Sequence, residues 1–116
     1  MLTMALPARI KPEPMGREKR IRCPAHTGWV RGFSCVVPGC DGRPIEAAHV
    51  RSGTDGGTGL KPGDDWTISL CATHHREQHQ VGEPGFERRH GIDMKALARE
   101  FAAKSPHKAK LRRTTA

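Results

Sequence analysis

The chain of 116 residues has no tyrosine and no asparagine, and two tryptophans with three phenylalanines leave aromatics at only 4%. A large aromatic core is thereby excluded, and hydrophobic residues of every kind reach only 35%. One domain with a small core is what such a length and composition allow, and domains of this kind generally depend on disulfides or a metal. No apolar run approaches the roughly 18–20 residues that a membrane crossing needs. Met1–Ala8 is mildly apolar, but no basic residue precedes it and Pro7 and charges follow at once, which argues against a secretory signal. The expectation is a cytosolic chain, whose four cysteines stay reduced and serve metal ligation rather than disulfides.

Acidic residues are missing from 104–116, which carry +5, and scarce in 1–22, which carry +4, while 23–103 sum to −1. The formal net charge of +8 therefore sits on two ends around a near-neutral body. Basic segments placed this way suit a polyanion, because each Lys or Arg that meets a phosphate releases condensed counterions. Solubility alone is the plainer use of the same charge.

Residues 1–21, with Pro7, Pro12 and Pro14 and no hydrophobic period, are expected to be a basic disordered arm, and 105–116 a basic tail. Between them lies a domain over 22–104. Ala25 to about Phe33 has helical spacing with Pro24 near its start. Ser34–Arg43 is a turn-rich knuckle between two cysteines, and Pro44–Arg51 reads as a strand. Ser52–Asp65, with five glycines, predicts an irregular loop. Trp66–Leu70 has strand character, Ala72–Val81 reads as a helix closed by Gly82, and Asp93–Lys104 forms a last amphipathic helix capped by Asp93.

Two ligand pairs stand about thirty residues apart, Cys35-x4-Cys40 and Cys71-x2-His74. Three thiolates and an imidazole are a regular tetrahedral set for structural Zn²⁺, and closing it would stitch the knuckle to the central helix. Cys23 lies outside the pairs; Cys23-x2-His26 is at most a weak extra pair. On the helix, His75 and His79 are i and i+4, so both rings share one face a turn apart, a spacing that suits two ligands on one divalent ion. If His74 turns to the zinc, these two must point elsewhere, which predicts a second metal. A solvated polar helix face is the competing reading. His49 ends the first strand, where a histidine is ordinarily a packed or hydrogen-bonded side chain.

The order Cys35…Cys40, Ala48-His49-Val50, a glycine-rich loop, Leu70-Cys71 and Ala72-Thr73-His74-His75 resembles the HNH endonucleases over roughly residues 25–103. It is most similar to small phage and prophage members of the RecA-dependent Ref-type kind, which carry a Leu-Cys-x2-His-His-x3-His signature. The resemblance implies an α+β fold, a zinc-stapled ββα-metal domain with flanking helices and basic disordered tails. It implies His49 as general base and His75 and His79 as ligands of a catalytic divalent ion, Mg²⁺ or Mn²⁺ first, with Zn²⁺ or Ni²⁺ also compatible with two imidazoles. It also implies DNA as partner, a 5′-phosphate and a 3′-hydroxyl as products, and a bacterial or phage-infected cell as the setting, with a recombination protein filament as a further candidate partner.

The chain departs from the family in two places. The residue before the base, commonly Asp or His, is Ala48, and the position of the middle Asn is held by Trp66. Asp64 and Asp65 are the nearest substitutes, and Asp65 is the one expected to serve the catalytic ion. Arg51, two residues past the base, is expected to clamp the scissile phosphate, with Arg43, Lys61 and Arg76 as further phosphate contacts. Because fold alone never fixes function, two other readings stand beside the nuclease. One is a noncatalytic zinc-dependent DNA-binding or adaptor module; the other is a zinc-stapled interaction domain of a phage assembly.

Overall fold

A computed structural model describes residues 6–8, 20–51 and 61–111. Its ordered elements are helix α1 (Pro24–Val30), strands β1 (Ile45–His49) and β2 (Thr67–Cys71), helices α2 (Ala72–Val81), α3 (Glu83–His90) and α4 (Met94–Lys104), and a 3-10 turn at Lys108–Leu111. This is a small α+β arrangement of four α-helices and one two-stranded sheet among the described residues.

The sheet is antiparallel, with Ile45 opposite Cys71, Ala48 opposite Ile68 and His49 opposite Thr67. All five β2 residues are buried. Alternation is lost there because helices α1, α2 and α4 all pack against β2, and its edges are covered as well. Beyond β1, Val36 N–H of the knuckle donates to the Ser69 carbonyl at 2.9 Å, and Ser69 Oγ donates to the Ser34 carbonyl at 2.7 Å. Ala48, Val50, Ile68, Leu70, Phe86, Met94 and Ala98 form the centre of the core. Burying such side chains contributes about 1.5–3 kcal/mol each for the larger ones.

Helix α2 begins at the residue after β2, and Cys71 caps it, its Sγ accepting the His74 N–H. Gly82 closes it at φ 79°, and Gly91 closes α3 in the left-handed region, where a side chain would be strained. Asp93 caps α4 by accepting the Ala96 N–H at 3.0 Å, and Glu87 accepts the Met94 N–H at 2.7 Å. The buried stripe Met94 and Ala98 lays α4 on the core.

Several boundaries differ from the sequence expectations. The first helix stops at Val30 rather than Phe33, because Gly32 and Phe33 bond back to the Trp29 and Val30 carbonyls in a tight turn. The strands are Ile45–His49 and Thr67–Cys71 rather than Pro44–Arg51 and Trp66–Leu70, although Val50 N–H still reaches the Trp66 carbonyl at 2.8 Å. Helix α3 was not expected: Pro84, Gly85 and a single buried apolar residue, Phe86, give it almost no amphipathic signal. Packing continues into the stretch expected as the basic tail, 105–116. Ser105 and Leu111 are buried, and Ser105 Oγ meets His26 Nδ1 at 2.9 Å, so the packed unit runs through Leu111. Most of the expected N-terminal arm, residues 52–60 of the glycine-rich loop and residues 112–116 lie outside the described residues.

Candidate functional site

Cys35 and Cys40 from the knuckle, Cys71 at the end of β2 and His74 in the first turn of α2 converge, with their ligand atoms all within 4.8 Å of one another. His74 Nδ1 lies 3.5, 3.4 and 3.2 Å from the sulfurs of Cys35, Cys40 and Cys71, and the Cys40 and Cys71 sulfurs are 3.9 Å apart. Four ligands held about 2.0–2.3 Å from one Zn²⁺ stand roughly 3.3–3.8 Å from each other, so the set fits that ion. The surroundings fit it too. The Gly42 and His74 N–H groups donate to the Cys40 and Cys71 sulfurs at 3.3 and 3.4 Å. A Cβ at Gly42 would lie 3.0 Å from the Cys71 sulfur, tighter than ordinary contact, so a side chain there would push the knuckle or the ligand by a few tenths of an ångström.

Burial pushes the Cys35 thiol up to about 11. Burial raises Cys71 as well, but hydrogen bonds from the His74 N–H and from the Cys40 and Cys35 side chains outweigh it and hold that thiol below its ordinary value. His90 packs its ring 5.0 Å from His74 and 4.5 Å from Phe86, and is itself held by Glu77. Helix α3, invisible in the sequence, thus carries a residue that buttresses a zinc-type ligand.

A second constellation lies on the other side of the same hairpin and helix. A cavity of about 380 Å³ is lined by Ala47, His49, Arg51, Lys61, His75 and His79. His49, Arg51 and His79 also line an adjoining hollow of about 470 Å³ with Gln78, Gly82 and Glu83. The Nε2 atoms of His75 and His79 stand 3.3 Å apart. Two nitrogens sharing one ion at about 2.0–2.1 Å stand roughly 3–3.4 Å apart, so this pair could hold a cation. Glu46 of β1 bonds His75 Nδ1 at 2.7 Å. A carboxylate only accepts, so the Nδ1 carries the hydrogen and the His75 Nε2 lone pair faces His79 Nε2, where it can accept that ring's N–H or bind an ion.

His49 is fixed in a parallel way. Its Nε2 lies 2.9 Å from Asp64 Oδ1, which assigns the hydrogen to Nε2 and the lone pair to Nδ1. Burial acts to raise the Asp64 pKa. Hydrogen bonds from His49 and the Cys23 N–H, with the nearby charges of His49 and Arg22, outweigh that effect and hold it below its ordinary value. Gln78 of α2 donates to the His49 carbonyl at 3.1 Å and to Glu83 at 3.2 Å, and Glu83 accepts the Arg51 N–H at 2.7 Å.

The expected residues are thus distributed unevenly. His49, His75, His79, Arg51 and Lys61 share one cavity. Asp65 was the acid expected at the catalytic ion, but the carboxylate that reaches His49 is its neighbour Asp64; Asp65 is half-buried at the turn into β2. Arg43 lines a different hollow beside Arg31 and the knuckle, and Arg76 is exposed on α2. Trp66, at the position of the family Asn, lies under Lys95 and Arg99 of α4, 5.9 and 5.8 Å from its ring centre. Ala48 is fully buried on the core face opposite Ile68, where neither Asp nor His would fit without exposing a polar group to the core. Sequence reasoning missed Glu46, and only the strand register, which sets it one step from the β2–α2 junction, would have found it.

Among the described residues no helix is long and apolar enough to cross a membrane. No curated protein and no solved structure matches the chain. A family model described as a protein of unknown function, DUF968, matches residues 11–105, and the chain belongs to that family.

Proposed function

We propose that this DUF968 chain is a metal-dependent DNA endonuclease of the HNH, ββα-metal type, in which His49 is the general base and His75 and His79 hold a divalent ion. The observation that carries the reading is the convergence of the His75 and His79 Nε2 atoms, 3.3 Å apart, in the cavity that also contains His49. A β-hairpin followed without a linker by a helix supports it, as does the Cys3His cluster beside it.

In this reading His49 Nδ1 takes a proton from water as the water oxygen attacks a backbone phosphorus. An imidazole suits the task because one ring nitrogen can accept a proton while the other keeps its hydrogen bond to Asp64. Asp64, held ionised, keeps the His49 hydrogen on Nε2 and supports the charge that the ring gains. Bound at His75 and His79, Mg²⁺, Mn²⁺ or another divalent ion would offset charge growing on the phosphoryl and leaving oxygens. Glu46 orients His75, while Arg51 and Lys61 supply positive charge to the scissile or neighbouring phosphate. The bond to the 3′-oxygen breaks, leaving a 5′-phosphate and a 3′-hydroxyl. DNA is the proposed partner, with a recombination protein filament as a candidate activator, and Zn²⁺ at Cys35, Cys40, Cys71 and His74 has a structural role.

The test is nicking of supercoiled plasmid by the full chain with Mg²⁺ or Mn²⁺, beside His49→Ala. Nicking should vanish in the variant while zinc content and DNA binding stay unchanged. Binding without cleavage by the parent protein, with every divalent ion and with recombinase filaments added, would instead favour the noncatalytic DNA-binding module.

A further inference from the structure

The turn that carries Asp64, the carboxylate bonded to His49, is gripped by residues 21–23. Arg22 spreads its guanidinium across two consecutive carbonyls, Nη1 donating to Pro62 at 2.7 Å and Nη2 to Lys61 at 3.3 Å. The flanking backbone binds Asp64 twice: its N–H donates to the Ile21 carbonyl at 2.8 Å, and its Oδ2 accepts the Cys23 N–H at 2.7 Å. The other carboxylate oxygen, Oδ1, meets His49 Nε2 at 2.9 Å, with Arg22 Nη1 farther off at 3.8 Å.

We propose that Arg22 is a positioning residue for the His49–Asp64 pair, acting by fixing the backbone from Lys61 to Asp64. The inference deepens the hydrolase reading, and its effect on cleavage rests on that reading. The direct ion pair is too long and the Arg22 side chain, at 46% exposure, too wet to do this by charge alone. Two carbonyls met by one rigid planar fork are a stronger constraint, because the fork fixes spacing and direction together. The same grip sets the backbone of Lys61, whose side chain lines the cavity. A direct phosphate ligand would need its donors facing the cavity; Arg22 lines neither hollow beside His49, and its Nη1 and Nη2 atoms meet the main-chain oxygens of Ile21, Pro62 and Lys61.

The experiment uses the full chain with Arg22→Ala and Arg22→Lys and reads two things. The first is the exchange rate of the His49 Nε2 hydrogen, followed by NMR on imidazole-labelled protein. The second is plasmid nicking, separated into kcat and KM. Arg22→Ala should retain its zinc and a melting temperature within a few degrees of the parent. Its His49 hydrogen should exchange at least about tenfold faster. Its kcat should fall by about tenfold to a hundredfold, as expected for a displaced base, with KM little changed. Arg22→Lys, with one donor point in place of a fork, should lie between the two proteins, and it decides the matter if Arg22→Ala does not fold.

Unchanged exchange in a zinc-loaded, folded variant overturns the proposal. So does a rise in KM with kcat and exchange unaltered, which would make Arg22 a phosphate ligand. If the parent protein does not nick, the endonuclease reading fails, but the exchange measurement still decides whether Arg22 holds the pair.

Discussion

Glu46 on β1 bonds His75 Nδ1 on α2 at 2.7 Å, tying the hairpin to the helix beside the histidine cavity. Carboxylates that accept from a ligand imidazole fix its tautomer and orientation, and their removal commonly weakens metal binding by about tenfold to a hundredfold. On the proposed role of His75 and His79, Glu46→Ala should lower their affinity for Mn²⁺ by that factor, leaving zinc content intact. Calorimetric titration of the zinc-loaded protein checks this without any assay of cleavage. An affinity equal to that of the parent would show that His75 needs no help to face an ion.

Asp64 links acid stability to the same cavity. Its folded-state pKa is held below the ordinary carboxylate value, so folding gains stability from its ionised form above about pH 3.8, and that gain is lost as pH falls through the folded value. Asp64→Asn should cost on the order of 1–3 kcal/mol near neutral pH, since hydrogen bonds to a charged acceptor are the stronger kind. The variant should also show a shallower loss of stability below pH 4 than the parent. Urea midpoints measured at pH 7 and pH 3 test both statements.

His26 predicts the opposite half of the pH profile. The ring is fully buried between α1 and Ser105, and burial depresses its pKa; the charge of Asp64 pulls it up and His107 pulls it down. The unfolded chain therefore binds this proton more readily than the folded one. Stability should be intact above pH 6.5 and fall progressively below it, down to the folded value. In His26→Gln that slope below about pH 6.5 should flatten. A variant that retains the parent slope would assign the acid sensitivity to other groups.

Gly42 offers a test of the cysteine cluster that leaves every ligand in place. A Cβ there would lie 3.0 Å from the Cys71 sulfur and 3.1 Å from its Cβ, too close without displacement of the knuckle. Gly42→Ala should weaken zinc binding and cost about 1–3 kcal/mol, the usual penalty for overpacking. Cys71→Ser should be more severe and leave the domain unfolded, as chelation of the zinc should. A melting curve indifferent to chelator would remove the metal from the account of stability.

The ligand pairs Cys35/Cys40 and Cys71/His74 were legible because short spacings fix geometry locally, and the structure gathers all four. The i, i+4 rings of His75 and His79 were legible for the same reason. What the sequence hid depends on register and on distant backbone. Two adjacent acids at 64 and 65 look alike as letters; Ile21, the last residue of the arm expected to be disordered, and Cys23, just inside the domain, decide which one turns to His49. Helix α3 was hidden because it is marked by a single core residue, Phe86, and by its Gly91 stop, not by a hydrophobic stripe. Trp66 looked like a missing catalytic residue and is instead a packing surface for α4.

Cys71 is at once the last residue of β2 and the cap of α2. No loop intervenes to act as a hinge, and Gln78 ties α2 to the His49 carbonyl, so the helix is held against the hairpin at the cavity. On the proposed chemistry, adaptation falls to the nucleic acid: DNA that bends or opens easily should be cut faster than stiff duplex of equal charge.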